Sequence, residues 1–178
     1  MADPMPPPPD AVRELADACL AYVTRAVGVE LDFTPETLPI LDHYLRNVPP
    51  ETSDEVLGLV GPTAGAYFGE VVRRSLGGNA RWEHPADDYS AWRLVFDRVG
   101  LSFNPIGAAL ECARRGEVEG SGAHFQVRAV DRALVDDALA RTEPVPADDF
   151  HRLAVRYDAL EHVLEVLLAR AQARHEMN

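Results

Sequence analysis

Lysine is absent. All 17 basic residues of this 178-residue chain are arginine, which excludes a Schiff-base lysine, a P-loop lysine and a lysine general base. With abundant Ala, Val, Leu and Asp, the replacement of lysine by arginine points to GC-biased coding in a bacterium. Cysteine is scarce as well. Cys19 and Cys112 lie far apart with no C-x-x-C spacing, and they read as small core residues rather than nucleophiles. No stretch of about 20 apolar residues is present to span a bilayer. The opening "MADPMPPPPD" has neither the charged nor the apolar region of a signal peptide. A cytoplasmic chain with reduced thiols is therefore expected.

Positive charge is in deficit: the formal net charge is −12. That balance argues against non-specific binding to nucleic acid or to an anionic membrane, since both need a cationic footprint. A basic protein partner suits it better, although acidity also serves solubility alone. The spacings G-x-G-x-x-G, G-x-x-x-x-G-K-[ST], H-E-x-x-H, G-x-S-x-G and that of the EF-hand do not occur. "SLGGN" and "EGSGAH" read as turns. Ser121 and His124 have no acidic partner in the sequence around them, which argues against a hydrolase triad. His151, Asp158, His162 and Glu165 share one face of a helix, and read as a solvated polar face rather than metal ligands. Neither a metal nor a cofactor is expected.

What is present is ordinary for a globular domain: 47% hydrophobic and 26% charged residues. The length suits one domain. Residues 1–9 read as a stiff, disordered proline-rich leader, and residues 10–178 as one α+β domain. A helix from Asp10 carries Val12, Leu15, Cys19, Tyr22 and Val23 on one face and ends at Gly28. Thr34 is placed to cap a helix beginning at Pro35, and Thr52 to Glu55 fits a capping box. The helix opened there stops at Gly77 and Gly78. "ARWEHP" and "SAWRLVFD" have the period of strands, with Trp92, Leu94 and Phe96 on one face. "GLSFNPIGAALECARRG" predicts a strand, an Asn104–Pro105 turn and a helix ending at Gly116, and "EVEGSGAHFQV" a loop leading into another strand. A helix over 131–141 precedes a long helix over about 148–175, with Asp148 or Asp149 as its cap. Its apolar residues, Phe150, Leu153, Tyr157, Leu160, Leu164, Leu167 and Ala171, alternate at three and four. That stripe is expected to pack on its own domain, with a homodimer seam as the alternative. The fold expected is a small, mainly antiparallel sheet packed against several helices.

Gly58, Gly61, Gly65 and Gly69 fall on one helical face, at about 1 kcal/mol each against alanine. They are expected to be structural, letting the helix lie close to a sheet or another helix. Glu70 stands i,i+3 from Arg73 and i,i+4 from Arg74, the geometry of ion pairs along a helix. A sharper expectation gathers Tyr67, Glu70, Arg74, Trp82 and His84 into one groove suited to a peptide or a basic side chain. Asp87 and Asp88, in "PADDYS", form a candidate acidic loop, with a solvated turn as the simpler reading. At "GAYFGEVVRR" the chain resembles a family of small uncharacterised bacterial domains. Their helix reads G-x-Y-x-G-E-x-x-R-R before a glycine-bearing turn and a tryptophan. "LSFNPIGAALECARRGE" is similar to their later strand, Asn-Pro turn and helix. The resemblance covers roughly residues 30 to 130; it implies a fold, and it transfers no catalytic residue. Such domains sometimes neighbour toxin–immunity or secretion genes.

Three functional expectations follow. The leading one is a non-enzymatic, acidic protein-interaction module of a bacterial cytoplasm, such as an immunity protein or an adaptor. The second is a ligand-binding protein or small enzyme using the Tyr67/Glu70/Arg74/Trp82/His84 groove. The third is a scaffold dimerising through its C-terminal helix.

Overall fold

Val12, Ala16, Cys19 and Val23 recur at helical spacing and form the buried stripe of α1 (Asp10–Val27). Gly28, at φ +76°, ends that helix in a left-handed turn whose N–H donates to the Thr24 carbonyl. Tyr22, expected on the buried face, is exposed. The computed structural model describes residues 5–49, 51–77, 80–85 and 88–176. Within the leader, Pro9 has polyproline backbone angles. The Pro6 carbonyl accepts a hydrogen bond of 2.8 Å from Arg73, which joins this part of the leader to α3. Residues 1–4 lie outside the described residues.

A short 3-10 turn, Pro35–Thr37, leads into α2 (Leu38–Arg46). Thr34 does not cap it; its hydroxyl donates instead to Asp32 at 2.6 Å. The long α3 (Asp54–Leu76) continues through Pro62. Its cap is Ser53, which accepts from the Val56 N–H, one residue beyond the expected Thr52. Strands β1 (Ala80–Glu83), β2 (Arg93–Phe96) and β3 (Leu101–Phe103) form an antiparallel sheet in that order. Trp82 pairs with Leu94, and Leu94 with Phe103. One buried row of large side chains therefore crosses the sheet. Asn104 caps α4 (Pro105–Arg114) by accepting from the Ile106 N–H at 2.9 Å. The strand expected after "EGSGA" is reduced to one antiparallel bridge between Ser102 and Gln126. Gly120 and Gly122 both sit at positive φ, which turns the chain before a longer extended run can form.

The C-terminal half holds α5 (Arg132–Ala140) and α6 (Leu153–Glu176). Helix α6 starts later than expected, because residues 147–149 form their own 3-10 turn. Neither Asp148 nor Asp149 caps it. Asp42 of α2 does, its carboxylate accepting from the Leu153 N–H at 2.6 Å and the Ala154 N–H at 3.1 Å. Leu153, Tyr157, Leu160, Leu164 and Leu167 are buried within the chain, against α2, α3, α4 and α5. Leu160 and Leu164 are thus occupied inside the protomer and are not free to form a seam between subunits. Phe150 stands before the helix and is 54% exposed, off the expected stripe. The architecture is α+β: the described residues form six α-helices and a three-stranded antiparallel sheet, with a long C-terminal helix. None of those helices is long and apolar enough to cross a membrane.

Candidate functional site

The glycine face of α3 is filled by α4 and β1. A Cβ on Gly65 would lie 2.3 Å from the Ile106 Cα, and one on Gly69 would lie 2.3 Å from the Trp82 ring. Gly61 meets Leu110, whereas Gly58 faces open space. Three of the four glycines therefore permit close packing, and Gly58 does not take part.

That approach delivers Trp82 to Glu70. The indole N–H donates to Glu70 Oε1 at 2.9 Å. Arg73 donates twice to the same carboxylate, at 2.8 and 2.9 Å. Arg74 adds a longer contact of 3.4 Å. Glu70 is fully buried and Arg73 is 4% exposed, so this is an internal ion pair and not a surface one. Burial pushes the Glu70 carboxyl up. The hydrogen bonds from Arg73 and Trp82, with the charges of Arg73 and Arg74, outweigh it and leave the carboxyl below its ordinary range.

The other expected groove residues are gathered partly. Tyr67 is buried, its hydroxyl accepting from the Phe33 N–H at 2.8 Å. Phe33 stacks on the Tyr67 ring, and the Arg74 guanidinium lies 3.8 Å from the Phe33 ring centre. Phe33 holds φ +61°, a conformation that costs a bulky residue about 1–3 kcal/mol. These contacts hold it there. His84 is not brought to Glu70; it meets the edge of Trp92. Asp88 accepts from the Ser90 N–H and hydroxyl, which hold its carboxyl below the ordinary range. Asp87 lies outside the described residues. The expected groove is a packed network whose polar groups satisfy one another.

Three further buried carboxylates were not singled out in the sequence. Asp42 caps α6 and also accepts from the Cys112 thiol at 3.4 Å. Burial raises the Asp42 carboxyl above its ordinary range, against the lowering effect of the backbone amides. Burial likewise raises both thiols, that of Cys19 to about 12. Asp131 ties α5 to the end of α6 through Arg128, Arg170 and Arg174, at 2.8, 3.1 and 3.5 Å. Glu111 receives the Ser121 hydroxyl at 2.7 Å and the Arg156 guanidinium. Ser121 thus has an acidic partner from α4, while His124 is exposed. His151 approaches Glu111 at 3.5 Å.

Arg156 also forms part of the wall of a cleft of about 560 Å³ between α5, α6 and the segment around residues 123–125. Its volume falls in the range of ligand sites. Val135, Leu139, Val155 and Ala159 make the floor apolar. Phe150 and Val145 stand at its rim, 54% and 41% exposed. The polar lining includes Arg132, Asp136, Thr142 and Glu143. A smaller depression of about 290 Å³ lies between α3 and α4, over Gly58. Sequence reasoning passed over the larger cleft because its walls come from three separate segments. Phe150, read in the sequence as the first member of the C-terminal helix stripe, instead precedes α6 and lines this cleft.

Among the described residues, no group of three or more His, Cys, Asp or Glu side chains is placed to hold a metal ion. The cleft lining pairs no nucleophile with a base. Its chemistry is that of an apolar surface edged with fixed charge. Comparison with protein-family models, with curated proteins and with solved structures found no match to this chain.

Proposed function

We propose that this chain is a non-enzymatic recognition protein of a bacterial cytoplasm, an immunity protein or adaptor, and that it receives a protein partner in the cleft between α5 and α6. The observation that carries the reading is the apolar cleft flanked by exposed Phe150 and Val145. Large apolar side chains exposed beside a concavity gain most when a partner covers them. The net charge of −12 supports a basic partner, whose association it would accelerate. The Glu70 network supports the scaffold and not the contact, because its charges face one another. A small apolar ligand is the second reading, favoured by the cleft volume.

The test is capture from bacterial lysate by wild type and by Ala159→Trp, which fills the cleft from α6. The variant is first shown to keep a cooperative thermal transition. A partner held by wild type and released by the folded variant is the expected result. A partner held equally by both places recognition elsewhere and ends the proposal.

A further inference from the structure

We infer that the cleft takes an extended segment of its partner, which adds as a strand beside residues 124–127, seats an apolar side chain in the cleft and sets Lys or Arg against its rim. This rests on the cleft being the recognition site, and two independent observations specify the occupant. The first is the free edge. Gln126 exchanges both backbone hydrogen bonds with Ser102, at 2.9 and 2.8 Å. In an antiparallel pair, alternate residues turn their N–H and C=O to opposite edges. Phe125 and Val127 therefore direct theirs away from β3, and neither has a backbone hydrogen bond among the described residues. Such an edge is a template for an incoming strand, and Phe125 itself lines the cleft. A small molecule would leave this row unused.

The second observation is charge. Asp137 is paired with Arg141, Asp149 with Arg152, and Arg156 with Glu111. Asp136 and Glu143 at the cleft, and Asp148 two residues before Phe150, have no side-chain ion pair or hydrogen bond among the described residues. Within the lining Arg132 is set against Asp136 and Glu143, while Asp148, outside the lining, has the Arg46 guanidinium on its backbone carbonyl. The mouth is left net acidic, and a cationic residue flanking the anchor is favoured over an anionic one.

The probe is a fluorescein-labelled RVFVR peptide amide, with EVFVE and the small cation phenethylamine for comparison, titrated by anisotropy and by displacement. RVFVR is expected to bind wild type about tenfold or more tightly than EVFVE, with a difference that shrinks as salt is raised. Asp136→Arg/Glu143→Arg, a surface change, is expected to reverse that order, and Ala159→Trp to abolish binding of both peptides. On binding, amide exchange at Phe125 and Val127 is expected to slow. Equal binding of the two peptides, or unchanged exchange at those amides, overturns the inference. So does displacement by phenethylamine at the concentration where RVFVR binds. If the peptides fail while Ala159→Trp still releases a captured partner, the strand and its charge are wrong and the recognition cleft stands.

Discussion

Replacing Glu70 with Gln keeps the shape of the side chain and an acceptor for Trp82, but removes the charge that Arg73 faces. Arg73 is 4% exposed and gives two hydrogen bonds to that carboxylate, so it cannot recover hydration without local unfolding. Breaking one side of a buried pair costs about 3–5 kcal/mol, most of it the uncompensated charge left behind. For a chain of this length each kcal/mol moves Tm by about 2–4 °C, giving a fall of roughly 6–20 °C by circular dichroism. The double change Glu70→Gln/Arg73→Met removes the orphaned charge and is expected to be more stable than the single. The pH dependence has a definite sign. The folded carboxyl lies below its ordinary range, so its contribution is present above the unfolded pKa and is lost as pH falls through the folded one. The gap between wild type and Glu70→Gln therefore narrows on acidification below about pH 4. A loss under about 1 kcal/mol, or strict additivity with Arg73→Met, would refute the claim that the pair is buried and coupled.

Two glycines on the same helix should respond in opposite directions. Gly58→Ala, with open space at its Cβ, is expected to stabilise by up to about 1 kcal/mol. Gly65→Ala, directed at the Ile106 backbone, is expected to cost about 1–3 kcal/mol; thermal unfolding of both variants decides. Asp42→Ala should leave the Leu153 and Ala154 amides without an acceptor, at a cost of about 2 kcal/mol. Amide exchange should then accelerate first at the start of α6. Because burial raises the Asp42 carboxyl, wild type should lose stability as pH rises from the ordinary carboxylate range through that raised value. Asp42→Asn should lack this slope.

Local signals carried the elements that are set locally. The end of α1 at Gly28, the buried strand face of Leu94 and Phe96, and the small-residue face at Gly65 and Gly69 all follow from residues a few positions apart. The grouping of Glu70 with Arg73 and Trp82 was also legible, since a helical turn and one reversal suffice to join them. Whether that group was open or sealed was not, because the closing surfaces are α4, residues 5–9 and Phe33. The cap of α6 was assigned to the nearest acidic residues, Asp148 and Asp149, while its acceptor lies on α2. Buried carboxylates such as Glu111 and Asp131 look in sequence like any solvated acid. Only partners brought from other elements distinguish them.

The capping of α6 by Asp42 spans 111 residues of chain, and that separation orders events during synthesis. Asp42 leaves the ribosome long before Leu153, and its carboxylate must remain hydrated until the last helix exists to receive it. At the usual rate of about 5–20 residues per second, that wait lasts several seconds or more. Helix α2 is therefore held back from final burial until a segment 111 residues further along the chain has been made. A chain stalled before α6 would expose the Asp42 side of α2 together with the apolar surface that α6 covers.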